Sequence, residues 1–292
     1  MNIVVCVKWT ISTDSTIKIE SGTMKDRGLY HVVNPYDLIA VEEAVRLKES
    51  QPGSEVILVC AGSPSAEQGL RRCLALGADK GIILWDTAFE HSDGYATAKI
   101  LARTIERLNY DLVLCGQKAA DTEDEQVWAV LAEFLNIPMI SACVKMDIAN
   151  GCEVTVHRKL QKGNREIVVT NTPVLLAVEL GLNKPRYPTL HAVLHAQRKK
   201  IQEYNLSALG LTPEEVGTMG SKTRRTALTP PRPRPKKLFT PDSSLSAAER
   251  MRLIMSGGVK QKQSNLLEGD PKYLASNLAR FLDEQNFLPT VK

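Results

Sequence analysis

Through the first 135 residues, short β-branched apolar runs alternate with amphipathic segments at an even rhythm, and few folds accept that alternation. Asn2–Lys8, Glu55–Cys60, Gly81–Trp85 and Asp111–Cys115 read as buried strands, while Asp37–Ser50, Ser65–Leu76, Tyr95–Leu108 and Thr122–Leu135 read as helices. In the first helix Leu38, Val41, Ala44 and Val45 share one face, and Glu42, Glu43, Arg46 and Glu49 fall largely off it. Gly77 stands where a helix C-cap needs a left-handed residue. Repeated strand–helix–strand units close only through crossover connections, so the fold class is α/β: a parallel twisted sheet with helices on both faces.

After Pro138 the rhythm changes. Ile140–Ile148, Cys152–Leu160, Glu166–Thr170 and Val174–Val178 are short β-rich runs separated by turn signals such as Asn150-Gly151 and Lys162-Gly163-Asn164, which predicts an antiparallel meander attached to the parallel sheet. A loop then leads into a basic helix around Arg186–Lys200. The stretch Thr212–Asp242 is rich in Pro, Thr, Lys and Arg, and its PPRPRPKK segment predicts an extended arm. Leu245–Met255 and Pro271–Phe287 read as two further helices. The second has Asp270 at its N-cap, Pro271 at its first position, and a stripe of Leu274, Leu278, Phe281 and Leu282. The expected organisation is an α/β domain over 1–205, then an arm with helices over 206–292 that packs on a partner subunit.

Charge narrows the function classes only once it is located. The net charge is +4, but seven basic residues and no acid lie between Met219 and Leu238, and removing them leaves 30 basic against 33 acidic residues. A whole-surface nucleic-acid field is therefore not expected. No apolar run nears the roughly 18 residues of a bilayer span, and the MNIVVCVKW start is too short for a secretory signal; a cytoplasmic chain without a transmembrane segment is expected. The six cysteines form no CxxC, so they read as reduced thiols, with Cys6, Cys60 and Cys115 inside strands, and no metal site is expected.

In an open parallel sheet, ligands sit at the carboxyl ends of the strands. None of the segments there carries GxGxxG or GxxxxGK[ST]. Ser256-Gly257-Gly258 reads as a helix C-cap. Gly116–Gln126 (GQKAADTEDEQ) follows a buried strand and opens a helix, so its amides could hold a phosphate; equally, Asp121 or Thr122 could cap the helix with Glu125 completing a box. Asn34-Pro35-Tyr36-Asp37 reads either as a second ligand segment or as a plain helix start. The five histidines form no pattern for catalysis, and no nucleophile or acid–base pair emerges.

Five ordered segments, VCVKW, NPYDLIAVEEAVRLKE, RRCLALGADKGI, CGQKAADTEDEQV and GLNKPRYPTL, resemble the beta subunit of electron-transfer flavoprotein over about residues 1–205. That resemblance implies an adenine-nucleotide-hydrolase-like α/β fold and a heterodimer with an alpha subunit. It implies an electron carrier rather than a classical enzyme, relaying electrons between NADH or an acyl-CoA dehydrogenase-type flavoenzyme and another acceptor. It also implies an adenine nucleotide on this chain: either AMP, with FAD on the alpha subunit, or a second FAD. A hydrolase or adenylating enzyme on a related fold is the competing class, and the missing SGGxDS loop argues against it.

By resemblance, the cofactor positions are Cys6, Asn34, Pro35, Tyr36, Asp37, Ala61, Asp93, Tyr95, Ala96, Thr97, Gly116, Gln117, Lys118, Asp121, Thr122, Gln126, Val127 and Trp128. Tyr36 matches the position whose ring lies near the alpha-subunit flavin, and Leu190, in Pro188-Thr189-Leu190-His191, matches the leucine that anchors partner dehydrogenases. Ser92–Ala98 resembles the GxDTxATS-like stretch of the bifurcating and nitrogen-fixation-linked branches. Gly220–Thr223 and Phe239-Thr240-Pro241 resemble their C-terminal additions, which favours a second FAD. Trp128 replaces a family Gly, Lys118 a Gln, and Gln161-Lys162 an acidic pair.

Overall fold

A computed structural model describes residues 1–20, 22–25, 27–149, 151–229, 241–255, 268–285 and 287. The PPRPRPKK segment, Phe239-Thr240, the Ser256-Gly257-Gly258 turn and Asn150 lie outside the described residues. The chain divides into two compact units, 1–230 and 231–292. The first contains β1 (Asn2–Cys6), β2 (Trp9–Ile11), β3 (Lys18–Glu20), β4 (Thr23–Lys25), β5 (His31–Val33), α1 (Pro35–Ser50), β6 (Glu55–Ala61), α2 (Glu67–Ala75) and β7 (Lys80–Leu84). It continues with α3 (Gly94–Ile105), β8 (Leu112–Gly116), α4 (Val127–Leu135), β9 (Met139–Ala149), β10 (Glu153–Lys159), β11 (Arg165–Asn171), β12 (Val174–Val178), α5 (Leu190–Arg198), β13 (Ile201–Tyr204), α6 (Leu206–Leu209) and α7 (Gly217–Gly220). The second unit contains α8 (Ala247–Met255) and α9 (Pro271–Glu284), the latter capped by Asp270.

Nine strands form one sheet in the order β11-β10-β9-β12-β8-β1-β6-β7-β13. The strands from β12 to β13 run parallel, and β9-β10-β11 form the antiparallel meander. Side chains alternate across the sheet, as a period of two requires. Ile3 and Val5 of β1 join Leu58, Leu114 and Leu176 beneath α1 and α2, while Val4 joins Val59, Val113 and Leu175 beneath α3 and α4. Gly77 does end α2, at φ +128°, and a β-carbon there would stand 2.9 Å from Val45 Cγ1.

The structure corrects two local expectations and adds one strand. Val174–Val178 is not the fourth strand of the meander; β12 runs parallel between β8 and β9. Its five consecutive buried apolar residues are what a strand covered on both faces requires. The polar strand β13 extends the parallel edge beyond β7 and carries no apolar pattern that would announce it. The helix expected over Thr122–Leu135 starts only at Val127. No helix among the described residues is long and apolar enough to cross a membrane.

Candidate functional site

The chain runs from β1 to β6 and β7 on one side of β1, then returns to β8 on the other. The connections therefore part between β1 and β8, and a crevice opens at their carboxyl ends. At its floor lies Asp37 in the first turn of α1, 5% exposed. Its carboxylate accepts from the Lys8 amide at 2.7 Å, the Asn34 side-chain amide at 3.0 Å and the Gly116 amide at 3.1 Å. One side chain thus ties together the ends of β1 and β8. Gly116 permits that approach, since a β-carbon there would run into Asp37 Oδ1 and the Tyr36 side chain. Burial pushes the Asp37 carboxyl up to about 7, against the pull of its three donors.

Asn34 stands in the N-cap position of α1, but its side chain does not cap the helix. It donates to Lys118 O at 2.9 Å and accepts from the Ala120 amide at 3.1 Å, which fastens the loop after β8 onto the start of α1. Lys8 completes that attachment, its ammonium lying 2.6 Å from Asp121. Burial opposes ionisation of Asp121, yet the Lys8 ammonium holds its carboxyl below the usual range.

The loop does not continue into a helix because Glu123 and Glu125 adopt positive φ of 54° and 53°. Neither Asp121 nor Thr122 caps α4; Gln126 holds the N-cap position and makes no side-chain bond to the first turn. The Gln126 carbonyl accepts from the Ala129 and Val130 amides, which leaves the Val127 and Trp128 amides to an outside acceptor. Beneath them, the Trp128 indole donates to Gln117 O at 2.8 Å. The Gln117 side chain accepts from the Ala142 amide, and the Gln117 main-chain amide donates to Val178 O. Trp128 therefore braces the loop against β9 and β12.

Asp93 caps α3, accepting from the Ala96 amide at 3.0 Å. Its second oxygen takes the amides of Lys222 and Thr223, at 2.8 and 2.7 Å, and the Thr223 hydroxyl at 2.9 Å. Burial works against the charge, but these donors keep the Asp93 carboxyl below the usual range. The Lys222 ammonium sits 5.2 Å from the centre of the Tyr95 ring. Gly94 lies against Gln126 and Val127, so the starts of α3 and α4 adjoin.

Cys6, Asn34–Asp37, Ala61, Asp93–Thr97 and Gly116–Trp128 thus all gather at the carboxyl edge of the sheet. Leu190 stands apart, 76% exposed, as the first residue of α5, where Thr189 accepts from the Ala192 amide. Lys8, Ser92 and Ser221 are polar residues of this rim that stand inside the resembling segments yet outside the expected cofactor positions; Ser92 accepts from the Gly217 amide and Ser221 from the Asp93 amide.

A family model described as electron transfer flavoprotein domain matches residues 21–209. An electron transfer flavoprotein subunit beta from Thermoanaerobacterium thermosaccharolyticum is 35% identical over 271 residues, covering 92% of this chain and 97% of that one. The caffeyl-CoA reductase–Etf complex subunit CarD of Acetobacterium woodii is 36% identical over 227 residues, 77% and 86% of the two chains. Protein FixA of Azotobacter vinelandii is 32% identical over 247 residues, 81% and 86% of the two chains.

Proposed function

Because the chain belongs to the electron transfer flavoprotein family as a beta subunit, we propose that it pairs with an alpha subunit in the cytoplasm and carries a second FAD in the crevice between β1 and β8. In this reading the heterodimer relays electrons between NADH or an acyl-CoA dehydrogenase-type flavoenzyme and another acceptor. The flavin, when bound, supplies the one- and two-electron chemistry; the chain supplies the cradle.

The observation that carries the reading is the meeting of Ser92–Ala98 with Ser221–Thr223 through the Asp93 carboxylate. These are two of the segments that resemble the bifurcating and nitrogen-fixation-linked branches, and they form one wall of the rim. The donor chemistry fits a nucleotide diphosphate: the uncapped start of α4 offers amides to an anion. Cys6 and Ala61, small side chains, stand at the ends of β1 and β6. The name of the Acetobacterium woodii relative, a subunit of a caffeyl-CoA reductase–Etf complex, supports a partner that handles CoA compounds. In the second unit α8 and α9 bury none of their residues; Met251, Ile254, Met255, Tyr273, Leu278 and Phe281 are all exposed and are assigned to the alpha subunit.

Structural AMP is the second reading, favoured by the bulky Trp128 at the start of α4. Purifying the heterodimer and counting its nucleotides separates the two. Two flavins per heterodimer are expected. One flavin with one AMP would replace the second FAD by a structural nucleotide, and no flavin would end the carrier reading.

A further inference from the structure

We propose that Arg186 is the positioning residue of the docking loop: clamped between Glu42 and Glu49 of α1, it fixes the backbone that presents Leu190 to the partner flavoenzyme. The proposal rests on the reading of Leu190 as a docking anchor. The segment 181–189 contains no helix or strand, and Tyr187 within it is 97% exposed. Left to itself, such a segment would offer Leu190 in many poses, each reducing the fraction ready to dock.

The attachments to α1 remove that freedom. The Arg186 guanidinium reaches both oxygens of Glu42 at 3.0–3.1 Å, and Glu49 at 2.5 and 2.9 Å. Its main-chain amide also donates to Glu42 at 3.0 Å, so the clamp grips the backbone itself. Glu42 is buried, its side chain 6% exposed, and Arg186 is its ion-pair partner. Glu49 and Glu42 together push the Arg186 pKa up, and Arg186 in turn holds the Glu49 carboxyl below its usual range. Three residues earlier, Asn183 donates to Ile39 O at 3.0 Å and to Glu43 at 2.8 Å. Beyond Leu190, the Arg71 side chain donates to the carbonyls of Ala196, Gln197 and Lys199 at the end of α5. Leu190 is therefore held from both sides while it stays exposed. A planar fork satisfies two carboxylates together, which an ammonium cannot reproduce.

The test uses the intact heterodimer, with a bacterial butyryl-CoA dehydrogenase reduced by butyryl-CoA as the probe partner. For Arg186→Lys the KM for the dehydrogenase is expected to rise about tenfold. The kcat should stay within about twofold of wild type, nucleotide content should be unchanged, and amide exchange over 180–190 should accelerate. Glu49→Gln, at an exposed position, should move KM and exchange the same way by less. Leu190→Ala added to Arg186→Lys should raise KM by less than it does in wild type, since a displaced anchor has less to lose. An unchanged KM in Arg186→Lys, with Leu190→Ala still raising it, overturns the proposal and leaves the docking reading standing. An unchanged KM in Leu190→Ala alone overturns both.

Discussion

The starts of α1 and α4 flank one crevice and are built in opposite ways. At α1, a buried carboxylate and a buried carboxamide take up the strand-end amides of Lys8 and Gly116 and the loop groups of Lys118 and Ala120. At α4, the N-cap side chain bonds nothing in the first turn; the Gln126 carbonyl takes the Ala129 and Val130 amides, which leaves those of Val127 and Trp128. The first end consumes its polar groups within the protein; the second leaves them for a ligand. A binding crevice needs both, because open donors hold an anion well only when the frame beneath them is fixed.

The largest effect that could break this contrast is at Asp37. Asp37→Ala leaves a buried Asn34 N–H and the half-buried amides of Lys8 and Gly116 without this acceptor and should cost about 3 kcal/mol or more in denaturant unfolding. If stability is retained and only nucleotide is lost, the α1 start belongs with the ligand donors and the contrast fails.

The pH dependence sharpens it. Burial raises the folded Asp37 carboxyl from an ordinary 3.8 to about 7, so the folded state holds that proton more tightly. Its contribution to stability is full below pH 3.8 and is lost as pH rises through 7. The stability difference between wild type and Asp37→Asn should therefore fall from about pH 4 to 7 and then level off. A flat difference would mean that the donors, not burial, set the titration.

The smallest effect is at the α4 start. Trp128→Phe keeps the ring and removes the bond to Gln117 O, costing about 1 kcal/mol of stability. Nucleotide affinity should be unchanged if the indole braces the loop. A large change in affinity would make Trp128 a ligand contact, and the open end would then include its side chains as well as its amides.

The parallel core was legible because β1, β6, β7 and β8 are continuous apolar runs of strand length, and Pro35 and Gly77 mark the ends of helices. What escaped depends on contacts distant in sequence. Glu42 and Glu43 read as the solvent side of α1, yet both are buried, since Arg186 and Asn183 fold back over them. The TEDEQ stretch has capping-box composition, but positive φ at Glu123 and Glu125 keeps it from the helix. Asn34 was visible as a helix start, while its bonds to Lys118 and Ala120, more than eighty positions away, carry no local signal. The exposure of Leu190 accords with its place in the GLNKPRYPTL segment, but the clamp behind it does not show in that segment.

The insertion of β12 between β8 and β9 also sets an order of assembly on the ribosome. Strand β8 can pair with β1 as soon as residue 116 has emerged, but its other flank is filled only by residues 174–178. At about 5–20 residues per second, several seconds of translation separate the two events. During that interval a nascent chain carries an apolar strand with one open edge, the kind of surface that recruits chaperones or neighbouring chains. A stalled product ending within β9, β10 or β11 would already have Asn34, Asp37 and the loop after β8 and yet lack the strand that seals its sheet.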